Sequence, residues 1–78
     1  MLSGEIVMAA IADALDVESV TMEDSDLTVD TWDSLGQLSI QTKLSVLTAG
    51  ASEDIEELAV VYSVQHIFNL LGEAGLLE

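Results

Sequence analysis

Apolar residues that return every three or four positions, the spacing of one helix face, constrain this chain more than any other feature of it. Ile6, Val7, Ala10, Ile11, Ala14 and Leu15 predict a helix over residues 3–15, with Ser3 as its N-cap. Leu35, Leu38, Ile40, Leu44 and Leu47 predict a second helix from about Ser34, stopped at "TAGA" by Gly50. The stretch "SEDIEELA" reads as a short third helix, with Ser52 as cap and acids in its first turn, where they favour the helix dipole. Val64, Ile67, Phe68 and Leu71 stripe a fourth helix, capped by Ser63 and stopped near Gly72 or Gly75. Half the residues are apolar but only three are aromatic, and a set dominated by Leu, Val, Ile and Ala favours close helix packing over strands. The expected fold is therefore all-α: one domain over residues 1–78, a small four-helix bundle of three longer helices and one short one.

Between the first two helices the pattern breaks into "DVESVTMEDSDLTVDTWD", a long loop in so small a domain and thus one expected to have work to do. Val17, Val20, Met22, Leu27 and Val29 read as anchors that pin it to the core. Its alternating acids invite a calcium reading. An EF-hand loop, however, needs Gly at its sixth position and a bidentate Glu at its twelfth, and counting from Asp24 those places hold Val29 and Leu35. A solvated acidic loop is the better reading, and no metal site is expected.

Size and charge exclude whole classes of function. A 78-residue chain buries only a thin core, too small for an enclosed catalytic cleft, so an enzyme is not expected. Fifteen acids against the single Lys43 give a formal net charge of -14, which repels nucleic acid and anionic membrane and steers the chain toward basic faces of other proteins. There is no cysteine to suggest a disulfide or a thiolate metal site. The stretch "MLSGEIVMAAIADAL" is too short and too interrupted by acids for a membrane span, and it lacks the basic flank of a signal peptide. A cytoplasmic monomer is expected.

No catalytic constellation emerges. A serine nucleophile needs a base, and the one histidine, His66, lies on the fourth helix with no evident orienting acid beside it, so it reads as a half-exposed helix residue. Trp32 is expected to pack over the core edge, and Met1, Met8 and Met22 to fill gaps or, for Met1, to start the chain.

The stretch "WDSLGQLSI", Trp32 to Ile40, resembles the attachment motif of acyl carrier proteins, and "EDIEELAVVYSVQHIFNLL" is similar to the third helix and the start of the fourth in that family. The resemblance spans nearly the whole chain. It implies a non-catalytic carrier whose Ser34 receives 4'-phosphopantetheine from coenzyme A through a phosphopantetheinyl transferase. Acyl groups would then ride as thioesters on the arm's thiol, in fatty acid or secondary metabolite biosynthesis. A loading ligase and downstream acyl-transfer enzymes are the further partners it implies. Carried over by motif position, Asp33 helps present the serine, Leu35 packs or contacts the transferase, and Gly36 and Leu38 lie on an exposed recognition face. The placement is physically sensible, because a helix N-terminus offers free N–H groups and a positive dipole end to a phosphate.

This chain departs from the family where partners usually dock. From Ser34 through Ser52 there is no acid, and Lys43 is present; the negative charge lies in residues 16–33 and at Glu53, Asp54, Glu56 and Glu57. A specialised carrier of short acyl or aminoacyl groups is therefore expected, with an aminoacyl or peptidyl carrier, or an unmodified acidic helical adaptor of the same fold, as alternatives. Loading through the acidic surfaces would slow as salt rises, since exposed charges are screened beyond about 8 Å at physiological salt; salt-independent loading would point to an apolar interface.

Overall fold

Why three stretches become α-helices and the fourth does not follows from what each can cap and bury. A computed structural model describes residues 2–78; Met1 lies outside the described residues. The elements are α1 (Gly4–Ala14), α2 (Ser34–Leu47), two 3-10 helices (Ala51–Asp54 and Glu56–Val60) and α3 (Val64–Glu73), with no strand among the described residues. Ser3 caps α1 by accepting the Ile6 N–H, and Ser63 caps α3 by accepting the His66 N–H at 3.1 Å. Left-handed residues end the helices: Ala49 and Gly50 follow α2 with φ of 53° and 90°, and Gly75 follows α3 with φ of 74°.

The architecture is all-helical, but the expected third helix is two 3-10 turns broken at Ile55, which is extended. Glu53, Asp54, Glu56 and Glu57 crowd four like charges into this stretch with no basic residue to offset them, and such repulsion opposes a continuous α-helix. Ser52 does not cap it from outside; it is buried, and its N–H donates to the Thr48 hydroxyl at 2.9 Å.

Val7, Ile11, Leu15, Ile40, Leu44, Leu58, Val61, Val64, Ile67 and Leu71 form one contiguous core. The face that α2 buries differs from the expected one. Leu35 and Leu38 are exposed and Leu47 sits at the boundary, whereas Gly36, Gln37, Ile40 and Leu44 turn inward. Gly36 is required by contact: a Cβ there would lie 2.2 Å from the Thr31 carbonyl oxygen. Gln37 is buried because its amide joins two polar groups that would otherwise be stranded. Trp32 Nε1–H donates to Gln37 Oε1 at 2.9 Å, and Gln37 Nε2–H donates to the Leu58 carbonyl.

The long loop is pinned much as its anchors predict. Val20, Val29 and Trp32 are buried, and Val17 and Met22 pack against the core, as does Met8. Leu27 is the exception, 90% exposed, because the turn at Ser25–Thr28 points it outward. Backbone bonds also tie the loop to the start of α3, Asp26 N–H to the Tyr62 carbonyl and Val64 N–H to the Asp24 carbonyl. The two ends of the described chain pair as well, through Leu2 and Leu77.

Asp24 organises the loop's acid-rich turn. Its carboxylate accepts the Thr21 N–H at 2.8 Å and the Thr28 hydroxyl at 2.9 Å. The Thr21 backbone bond, then the Thr28 hydroxyl, holds its pKa below the ordinary 3.8. A carboxyl lowered on folding stabilises the native state above its unfolded pKa and loses that contribution as pH falls through the lower folded value. Asp24→Ala should therefore melt below the wild type at neutral pH, and the gap in melting temperature should close below pH 3.8; a gap independent of pH would contradict this. Gln37→Met leaves the Trp32 N–H and the Leu58 carbonyl unpaired in the core and should cost about 1–3 kcal/mol in urea unfolding followed by the fluorescence of the single tryptophan.

Candidate functional site

A serine beside an aspartate at a helix start poses a local question: which of the two makes the cap. Asp33 does. Its backbone is extended and its Oδ1 accepts the Gly36 N–H at 2.9 Å, while its carbonyl accepts the Gln37 N–H. Ser34 is thereby the first helical residue, exposed, with a hydroxyl not used in the capping bond. The Ser34 and Leu35 N–H groups stand before the first intrahelical carbonyl, so they remain open to an external acceptor. The result is a solvent-facing hydroxyl at the positive end of a 14-residue helix.

The loop supports this arrangement from below. Trp32, two residues before Ser34, is 3% exposed and fastened to Gln37. The Thr31 hydroxyl donates to the Leu15 carbonyl, tying the same segment to the end of α1. With Gly36 seated on the Thr31 backbone, the first turn of α2 is held against the loop by contacts on both sides of the serine.

Of the residues expected around the serine, Asp33 and Leu35 are exposed next to it and Leu38 is exposed one turn further on. Gly36, expected on the same exposed face, does not share it. It faces inward, because the loop backbone occupies the space where a side chain would be. Gln37 was not expected to matter; the signal for it is a buried tryptophan, whose N–H needs an acceptor, followed five residues later by an amide in a helix otherwise lined by aliphatics.

Concavities flank α2 on both sides. A cavity of about 150 Å³ lies between α2 and the 3-10 segment, lined by Gln41, Ser52, Glu53, Ile55, Glu56, Leu58 and Ala59. A more open groove of about 490 Å³ runs between α1 and α2, lined by Ile6, Ala9, Ala10, Asp13, Thr42, Lys43, Val46 and Leu47. Lys43 pairs across this groove with Asp13. His66, half-exposed, faces Glu57 at 3.8 Å, so its near neighbour is an acid of the second 3-10 helix. Among the described residues no group of three or more His, Asp or Glu is placed to hold a metal ion, and no helix is long and apolar enough to cross a membrane.

If Asp33 caps α2 and Ser34 only begins it, the two residues should separate on substitution. Asp33→Ala should lose about 0.5–2 kcal/mol in chemical denaturation, and Ser34→Ala should stay within about 0.5 kcal/mol of the wild type. Equal losses would mean that the serine is structural. No protein-family model, no curated protein and no solved structure matches the chain.

Proposed function

We propose that the protein is a carrier whose Ser34 is modified with 4'-phosphopantetheine, and that it delivers acyl or aminoacyl groups to partner enzymes without performing chemistry of its own. The observation that carries this reading is the exposed Ser34 hydroxyl at the first position of α2, left out of the capping bond by Asp33. A serine that served only the helix start would be expected to make the cap itself.

In the modification, Ser34 Oγ attacks the phosphorus of coenzyme A that bears the pantetheine. The new Oγ–P bond forms as the pyrophosphate P–O bond breaks, adenosine bisphosphate leaves, and the hydroxyl proton passes to a base of the transferase. The donor set fits a phosphodiester there. The Ser34 and Leu35 N–H groups and the α2 dipole favour negative charge at this point, and the Asp33 carboxylate, engaged by the Gly36 N–H, is kept in its capping position. Once attached, the group supplies the thiol that this cysteine-free chain lacks, and tethering raises the cargo's effective concentration at each enzyme served.

The test is intact mass after incubation with coenzyme A and a broad-specificity phosphopantetheinyl transferase. Addition of one phosphopantetheine to the wild type and none to Ser34→Ala is the expected result. Absence of addition with several transferases would favour an unmodified acidic adaptor.

A further inference from the structure

We infer that the transferase that modifies Ser34 seats an uncharged, apolar ridge along the outer face of α2 and into the α1–α2 groove, leaving the acidic 3-10 side of the molecule outside the contact. The inference rests on the carrier reading above and adds to it the face and the chemistry of the partner.

Any enzyme that reaches the Ser34 hydroxyl must cover the first turn of α2, where Leu35 is 74% exposed. From there the outward positions descend as Leu35, Leu38, Thr42 and Val46, spaced by three, four and four residues and so aligned on one helix face. Among the described residues eight large apolar side chains are exposed, and five of them, Ile6, Leu35, Leu38, Val46 and Leu47, lie on this stripe or at the groove beside it, so the exposure is concentrated rather than scattered.

Charge selects the partner's chemistry. In a chain with 15 acids, none falls between Ser34 and Leu47. The groove's two charged side chains, Asp13 and Lys43, are paired with each other and present no net charge to a visitor. On the opposite flank of the stripe Glu53 accepts a hydrogen bond from the Ser45 hydroxyl at 2.8 Å and marks where the acidic side begins. A strongly basic ridge would find no counter-charge on the stripe and would give up its own hydration; an apolar one removes hydrocarbon from water on both sides. Val46 lies twelve residues along α2 from Ser34, about 18 Å at the helical rise, so contact there is separate from the chemistry at the hydroxyl.

The experiment is transferase kinetics read by intact mass on wild type, Val46→Gln, Ile6→Gln and Glu56→Gln, at about 0.05 and about 0.5 M salt. Val46 and Ile6 are 76% and 50% exposed, so polar replacements there should fold, which thermal melting checks. The expected result is a fall in kcat/KM of about tenfold for Val46→Gln and Ile6→Gln, the scale of a lost interface anchor, with Glu56→Gln unchanged and little salt dependence. Loading of both apolar variants at the wild-type rate, or steep slowing by salt together with a defect in Glu56→Gln, would overturn the docking face while leaving the carrier reading intact. A wild type that takes no phosphopantetheine would overturn the carrier reading, and the inference with it.

Discussion

The side-chain amide of Gln37 is the interaction on which the arrangement around Ser34 depends. It accepts from Trp32 and donates to Leu58, so one buried group joins the end of the long loop, the first turn of α2 and the second 3-10 helix. A buried amide that meets its partners with good geometry stabilises modestly, but one left unpaired is costly, which makes this junction intolerant of sliding. Gly36 adds a steric constraint at the same place, since the loop backbone passes where any side chain would be. Ser34 faces solvent with Leu35 because Gly36 and Gln37, on the opposite side of the same helix turn, are committed inward.

The distribution of charge follows from the same geometry. Acids collect where backbone is irregular, in the loop and the 3-10 segment, and several of them act locally: Asp24 closes a turn through Thr21 and Thr28, Asp33 caps α2, and Glu53 takes the Ser45 hydroxyl. Self-repulsion among 15 acids weakens a compact state, so placing them at turns and caps, where backbone N–H and hydroxyl groups receive them, limits the cost. Helix α2 is left without acids and with an apolar outer stripe, which distinguishes its surface from the rest of the molecule.

Much of this was legible in the amino-acid order. The helix starts after Ser3, at about Ser34 and after Ser63, and the stops before Gly50 and Gly75, follow from capping chemistry that acts within a few residues. The apolar periodicity of α1 and α3 also reports most of their buried faces, Val7, Ile11 and Leu15 in the one and Val64, Ile67 and Leu71 in the other, while Ile6 of the α1 stripe is half-exposed at the α1–α2 groove. For α2 the same reading selected Leu35 and Leu38 and missed Gly36 and Gln37. A helix whose inner face meets a loop and a polar junction, and whose outer face carries leucines, gives a misleading stripe, since hydrophobicity marks burial only where the neighbour is apolar.

What the sequence by itself determined is the all-α class, the capped helix starts, the charge and the placing of Ser34 at the beginning of a helix, all of which rest on local spacing or on simple counts. What only the tertiary structure decided is which face of α2 is covered, that Asp33 rather than Ser34 makes the cap, that the acidic third segment winds into two 3-10 turns, and that Leu27 points to solvent. The last three follow from contacts within a few residues that the apolar spacing does not report, whereas the first depends on which groups come to lie alongside, the Thr31 carbonyl over Gly36 and Leu58 beyond Gln37. Pairings of that kind are set when the chain closes on itself, and no local pattern of residues encodes them.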